Sequence, residues 1–253
     1  MSEKHSQQIH HETRKPKHTF LKIGALMFIV AILALGYLGF IPILSPLIGA
    51  NKPKDLGIKA TEADFASASA KLGRSRESLP VGNTPEQSLK FSGSHNVNAI
   101  FTSEEVTATM QSRDYKYNPI GKNFQAKFSD DGTVEMSGTL QLQNFIEYGK
   151  AARIPDDQVD AVMDKASLVL VNPSFYVKGE GKVVNNRLTY DVEKIEIGKF
   201  SIPVSLFPEN KISNFVEDRI DAIPGLNVDS LTIEKEGLSF KGTYPDKSYY
   251  LKE

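Results

Sequence analysis

The sequence predicts an α+β fold, with a single N-terminal transmembrane helix followed by an extracytoplasmic domain of curved antiparallel sheet packed on amphipathic helices. Three observations predict it. Residues 23–41 run for 19 positions without a charge or a proline. Beyond them, apolar and polar residues alternate with period two in paired segments joined by turn residues, as in hairpins with one face on a core. Between the hairpins, apolar residues recur three and four apart behind capping residues, as in amphipathic helices.

Residues 1–22 form a basic tail that takes five of the 30 basic residues but only Glu3 and Glu12 of the 31 acidic ones. Lys and Arg are retained on the cytoplasmic side of a span. The tail is therefore expected inside, in a single-pass cell-membrane protein whose C-terminal domain is extracytoplasmic. As a helix, residues 23–41 would reach roughly 28 Å, close to the ~30 Å hydrocarbon core, and only a helix satisfies its own backbone in lipid. A cleaved signal peptide fits less well: its apolar core is shorter, and cleavage after Ala50 would place Ile48 at the −3 position. The segment has no ionisable residue and no small-xxx-small pair, which marks an anchor rather than a transport or dimerisation helix.

Residues 42–94 read as a juxtamembrane linker with one short helix over 61–72. Thr61 caps that helix, Asp64 completes a capping box and Gly73 ends it. Residues 73–86 are polar and turn-rich, so they read as loop. The extracytoplasmic domain is expected over 95–245. It opens with a strand over 97–101, then a capping box of Thr102 and Glu105 that starts a helix to about Gln111. Asn118-Pro119 and Gly121 break the chain. A hairpin follows, with Phe124, Ala126 and Phe128 on one strand, a turn at Asp131-Gly132, and Val134, Met136, Leu140 and Leu142 on the return. Its other face is expected in water.

Two helices are expected next, over 144–152 with Asn144 as cap and over 156–166 with Pro155 at its start, inner faces supplied by Phe145, Ile146, Val159 and Val162. A second long hairpin spans 168–202 and turns at Asn185-Asn186. On its return strand Leu188, Tyr190 and Val192 are in phase, whereas Ile195 and Ile197 are in the opposite phase. That change of parity predicts a β-bulge near Glu193-Lys194, with Gly179 and Gly181 opposite easing the curvature. Ile212, Phe215, Val216, Ile220 and Ile223 then make one helical stripe, ended by Pro224-Gly225. Arg219 falls inside the stripe and is expected to lay its stem on the core with its head in water. A last hairpin pairs Leu231 and Ile233 with Leu238, Phe240 and Tyr244 through a turn at Glu236-Gly237. Residues 246–253 read as a frayed tail.

Several function classes find no support. The acidic pairs Asp130-Asp131 and Asp156-Asp157 lack the oxygen ligands of a calcium loop and fit turn and helix N-terminus chemistry instead. His10-His11 lies in the tail without further ligands, so no metal and no cofactor is expected. The outer domain has one histidine, His95, near Ser92 and Ser94, and no Gly-x-Ser-x-Gly elbow; no enzyme is expected. A mildly acidic domain without a phosphate loop or a basic aromatic stripe argues against nucleic acid. The absence of cysteine and of any Asn-x-Ser/Thr acceptor suits a bacterial envelope. The remaining candidate is apolar: a lipid-binding groove between sheet and helix lined by Phe175, Ile212, Phe215, Ile220 and Phe240. Periodicity alone favours a filled core over that groove, because interiors are close-packed.

One further pattern bears on the choice. A single anchor is followed by a strand running into Phe101-Thr-Ser-Glu-Glu-Val-Thr-Ala, then Val134-Glu-Met-Ser-Gly-Thr-Leu140. Ile195-Glu-Ile-Gly-Lys-Phe-Ser-Ile-Pro-Val204, an amphipathic helix and Leu231-Thr-Ile-Glu-Lys-Glu-Gly-Leu-Ser-Phe240 come after. This order resembles the membrane-anchored bacterial envelope proteins of the YpmS and LmeA kinds, over about residues 95–245. The resemblance implies a relation to tubular lipid-binding folds, in which a curved sheet wraps a long helix around an acyl-chain groove. It brings the groove level with the filled core, and it carries no catalytic residues to transfer. The expected partners are the membrane and a lipid or another apolar envelope component. The alternative is a scaffold or regulator of envelope assembly that binds envelope proteins and no small ligand.

Overall fold

The capping boxes are where sequence and structure meet first. In the computed structural model, which describes residue 49 and residues 51–154, 172–206 and 209–253 (side chains of 206 and 209–211 excepted), helix α1 spans Glu62–Leu72. Thr61 accepts from the Asp64 N–H, Asp64 accepts from the Thr61 N–H, and Gly73 closes the helix at a φ of 62°. Helix α2, Ser103–Gln111, opens with the same reciprocal pair, Thr102 and Glu105. Each box satisfies donors that a helix start leaves orphaned. The Glu105 carboxylate also ties the two helices together, accepting from Lys71 Nζ at 2.7 Å and Ser67 Oγ at 2.5 Å.

The architecture is α+β. Strands β1 (Ser75–Ser78) and β2 (Leu89–Ser92) flank β11 (Lys247–Tyr250) in a three-stranded sheet, β1 parallel and β2 antiparallel to it. This corrects two expectations. The stretch 73–86, expected as loop, contains β1, the expected linker over 42–94 also contains β2, and residues 246–253 are not frayed: Tyr250 and Leu251 are buried. The reason is physical. Ser-Arg-Glu-Ser in β1 has no apolar alternation, and its pairing partner lies 172 residues further on (Ser75 with Lys247), so nothing local announces the strand.

The larger sheet has eight strands: β3 (His95–Phe101), β4 (Gln125–Phe128), β5 (Thr133–Thr139), β6 (Ser174–Val184), β7 (Arg187–Ile197), β8 (Phe200–Ile202), β9 (Asn227–Glu234) and β10 (Gly237–Tyr244). Its path is β3-β10-β9-β6-β5-β4, with β7 on the other edge of β6 and β8 beyond it. One edge of β6 is shared. Its first part pairs with β5, and Val183 and Val184 pair with β9. The β6–β7 hairpin turns at Asn185 and Asn186, both at positive φ, as a two-residue turn of this hand requires. Register passes from Lys178–Lys194 to Gly179–Val192, leaving Glu193 as the extra residue of a bulge at the expected place. A Cβ at Gly179 would lie 2.3 Å from the Asp191 carbonyl oxygen, so glycine is what lets the strands close up there.

Helix α2 joins the two ends of this sheet. It continues directly from β3, and its other side hydrogen-bonds the outer edge of β4. Thr107 Oγ1 accepts from the Ala126 N–H at 3.0 Å and donates back to the Ala126 carbonyl, Ser103 Oγ accepts from the Phe128 N–H, and Gln111 donates to the Phe124 carbonyl. An edge strand is thus satisfied by side chains in place of a neighbouring strand. The sheet wraps far enough for one helix to reach both its ends. Helix α4 (Glu209–Asp221) packs on the same face as α1 and α2. Ala68, Val97, Phe101, Val183, Ile220, Val228 and Phe240 form the buried cluster, with Leu72, Val106, Leu188 and Val216 against it.

Three smaller corrections concern boundaries. Leu142 begins helix α3 (Leu142–Ala151) rather than ending a strand. Asn144 does not cap it; its side chain donates to the Asn118 carbonyl at 3.0 Å. The last hairpin turns at Lys235-Glu236, and Gly237 starts β10 at a φ of 134°. The expected span over 23–41, the helix over 156–166 with Pro155, and the start of the second hairpin over 168–171 lie outside the described residues. Among the described residues no helix is long and apolar enough to cross a membrane.

Candidate functional site

Strand register decides which side chains share a face. Ala126 faces Met136, which faces Val177; Phe128 faces Val134, which faces Gly179; Gly138 faces Phe175. These residues form one apolar face across β4, β5 and β6. Phe124 and Ala126 are buried in it, but Phe128, Val134, Met136, Phe175 and Val177 remain half-buried. The five groove candidates divide. Ile220 and Phe240, 8% and 7% exposed, are packed together in the core. Ile212 and Phe215 of α4 are half-buried, as is Phe175, whose ring lies 6.4 Å from that of Phe124.

The opposite face was expected in water and is instead covered. Ser137 and Tyr176 are buried on it. The cover is the chain segment before α1. Lys54 Nζ lies 3.9 Å above the Tyr176 ring and pairs with Glu135 Oε2 at 3.2 Å. Tyr176 donates its hydroxyl to the same carboxylate at 2.6 Å, and the Leu56 N–H donates to Gln125 Oε1 at 2.7 Å with the leucine buried. The Tyr176 hydrogen bond, helped by Lys54 and opposed by burial, holds the Glu135 carboxyl below its usual value. Ser137 is fully buried on this covered face, and its hydroxyl has no hydrogen-bond partner among the described residues.

A second assembly gathers arginines and tyrosines. Arg74 donates to the Tyr244 hydroxyl at 3.1 Å and lies over that ring. Arg76 pairs with Asp114 at 2.8 Å and lies 4.6 Å from the Tyr250 ring centroid. Arg219 does not send its head into water as expected: it donates to the Tyr148 hydroxyl at 3.3 Å and to the Ala152 carbonyl at 2.9 Å, closing the C-terminal end of α3. Tyr148 meets Tyr115 edge to face, and burial pushes the Tyr115 hydroxyl up to about 12 even though Ser88 hydrogen-bonds it. Burial, with the charges of Arg74 and Arg76 adding to it and Tyr148 and Tyr244 opposing, pulls the Arg113 guanidinium below its ordinary value. Of these residues the sequence singled out only Arg219, for its place in the helical stripe, and Tyr244, in the last hairpin, and it brought none of them together. The available signals were Arg74-Ser-Arg76 and the run Arg113-Asp-Tyr-Lys-Tyr117, basic and aromatic residues close together.

His95 is engaged at both ring nitrogens, Nδ1 with Asp246 at 2.7 Å and Nε2 with the Leu72 carbonyl at 2.8 Å. Both partners are acceptors, and neither is a serine hydroxyl. Asp131 accepts from the Thr133 N–H in its turn, whereas Asp156-Asp157 lies outside the described residues. Among the described residues no group of three or more His, Cys, Asp or Glu side chains is placed to hold a metal ion. Comparison of the chain with known protein families, characterised proteins and solved structures gives no match.

Proposed function

We propose that the chain is a membrane-anchored extracytoplasmic binding protein, without catalysis, that takes the acyl chain of an envelope lipid against the apolar face of its large sheet. Residues 23–41 serve as the anchor and residues 1–22 as the cytoplasmic tail. One observation carries the reading. A sheet that wraps until one helix reaches both its ends leaves Phe128, Val134, Met136 and Val177 half-buried on its apolar face. Ile212, Phe215 and Phe175 add half-buried apolar surface on α4 and β6. Ile220 and Phe240, already in the core, support the groove from behind. Each Å² of apolar surface removed from water contributes about 25 cal/mol, so an acyl chain needs no further chemistry to be held. Native lipids are to be extracted from the purified full-length chain and identified by mass spectrometry. Co-purifying lipid, reduced by Val134→Asp with Met136→Asp, is the expected outcome. A chain that carries no lipid after expression and takes none up when offered it would overturn the proposal.

A second reading, an interaction module for envelope proteins, is favoured by one observation. Phe200 is 44% exposed on β8, which pairs only with β7 among the described residues. An exposed edge strand with an apolar side chain is a template for strand addition. Photo-crosslinking from position 200 in cells separates the two readings, because only this one yields a single discrete protein adduct.

A further inference from the structure

His95 stands where the chain crosses between the two sheets. It crosses three times, each time on two residues: Gly73 and Arg74 lead from α1 into β1, Gly93 and Ser94 from β2 into β3, and Pro245 and Asp246 from β10 into β11. The crossings are bonded to one another. The Ser75 N–H donates to the Asp246 carbonyl at 2.9 Å, and the Ser94 N–H donates to Asp246 Oδ2 at 3.0 Å. His95 completes the junction, with Nδ1 2.7 Å from Asp246 Oδ1 and Nε2 2.8 Å from the Leu72 carbonyl oxygen. Two glycines at positive φ make room for the pair. A Cβ at Gly93 would lie 2.0 Å from Asp246 Oδ2, and one at Gly73 would lie 2.8 Å from His95 Nε2. One imidazole thus joins the end of the first crossing helix, its own strand and the residue that leads into β11.

Neither partner of the ring can donate in return. A carbonyl oxygen and a carboxylate only accept, and a neutral imidazole carries a single N–H, so it satisfies one of the two and turns a lone pair on the other. The imidazolium donates to both. Leu72 is the last residue of α1, where carbonyls lack helical partners and favour a cation. The other charges at the junction are engaged. Arg74, on the first crossing, donates to the hydroxyl of Tyr244, which lies directly across from His95 in the β3–β10 register. Lys71 bonds Glu105 and the Ile100 carbonyl, and Lys247 pairs with Glu77. The His95 side chain is 30% exposed and that of Asp246 49%, so the ring exchanges its proton with solvent. We propose that His95 is a proton-dependent latch between the two sheets. Charged, it holds the Leu72 carbonyl and Asp246 together; neutral, it lets go of one of them, and the three-stranded sheet opens from the larger one more readily. The latch therefore holds in acid and loosens as pH rises through the range in which an imidazole gives up its proton, about 6.5 for an ordinary histidine. It works whether or not an acyl chain lies on the apolar sheet face.

The test is amide hydrogen exchange of the full chain in detergent micelles, at about pH 5.5 and about pH 8, on either side of the ordinary imidazole value. Protection factors of peptides from β1, β2 and β11 are read against those from β5 and β6, so that a global change in stability cancels in the ratio. In the wild type the ratio is expected to fall roughly tenfold from the lower pH to the higher, the loss expected for one charge-assisted hydrogen bond. His95→Gln has no proton to lose, and its ratio should be the same at both pH values. Asp246→Asn keeps the shape of the partner without its charge and should show a smaller fall than the wild type; it decides alone if His95→Gln does not fold. A wild-type ratio that does not change with pH or that rises, a fall that persists undiminished in His95→Gln, or an undiminished fall in Asp246→Asn would each overturn the proposal.

Discussion

Across β4, β5 and β6 the large sheet has one face that carries Phe128, Val134, Met136 and Val177 and is half-open, and another that carries Gln125, Ser137 and Tyr176 and is closed. Composition alone would assign them the other way round. The polar face is closed because the chain supplies groups that match it: the Leu56 N–H for Gln125 and the Lys54 ammonium for Glu135 and Tyr176. The closure is imperfect, since it leaves the Ser137 hydroxyl without a hydrogen-bond partner among the described residues. The apolar face needs no matching partner, only something apolar to cover it, and part of it is only half-buried. Burial in this protein follows which surfaces the chain can satisfy by itself, and the surface it leaves open is the one a non-polar ligand would satisfy.

The comparison can be broken by substitution, taking the largest expected effect first. Phe240→Ala, in the packed end of the apolar face, should cost about 3–5 kcal/mol in urea unfolding of the full chain. Leu56→Ala, on the closed polar face, should cost about 2–3 kcal/mol, as for any buried leucine. Met136→Ala on the half-open face should cost only about 1 kcal/mol, since little packing is lost. A Met136→Ala cost equal to that of Leu56→Ala would mean that the apolar face is an ordinary filled core, and the comparison would fail.

The clasp on the polar face gives a sharper test through pH. The Glu135 carboxyl titrates lower in the folded chain than its ordinary 4.5. Its contribution is thus present above 4.5 and is lost as pH falls through the lower folded value. Glu135→Gln should be less stable than the wild type by about 1 kcal/mol at pH 7, and the gap should vanish at the acid end of a pH series of denaturation curves. A gap that does not change with pH would mean the carboxylate charge has no part in holding the segment down. The smallest effect is expected from Ser137→Ala, which removes a stranded hydroxyl and should stabilise by up to about 1 kcal/mol. A loss of stability there would reveal a partner for that hydroxyl.

Legibility in the sequence followed the distance between partners. The boxes at Thr61–Asp64 and Thr102–Glu105, the Asn185-Asn186 turn and the extra residue at Glu193 each depend on groups a few positions apart or directly across one hairpin, and all were readable. Strands β1 and β11 were not, because Ser75 finds Lys247 only in the folded chain. The cover formed by Lys54 and Leu56 was missed for the same reason. So was the seam of α2 on β4, where Thr107 acts as a backbone partner, which no propensity expresses. The groove candidates came from periodicity, which finds apolar faces but not how far each is covered. It therefore could not separate Ile220 and Phe240 from Ile212 and Phe215. The arginine cluster draws on β1, the end of α2, α3, α4 and β10, and only the fold brings these together.

The three-stranded sheet has a mechanical consequence. Strands β1 and β11 run parallel over four register pairs, Ser75 with Lys247 through Ser78 with Tyr250. A pull applied between the segment that enters β1 and the residues that leave β11 acts in opposite directions along the strand axis. It loads the inter-strand hydrogen bonds together, in shear, and does not peel them one at a time. A short sheet that contributes modestly at equilibrium is thereby placed where it would resist tension best, at the point where the two ends of the domain are clamped to each other.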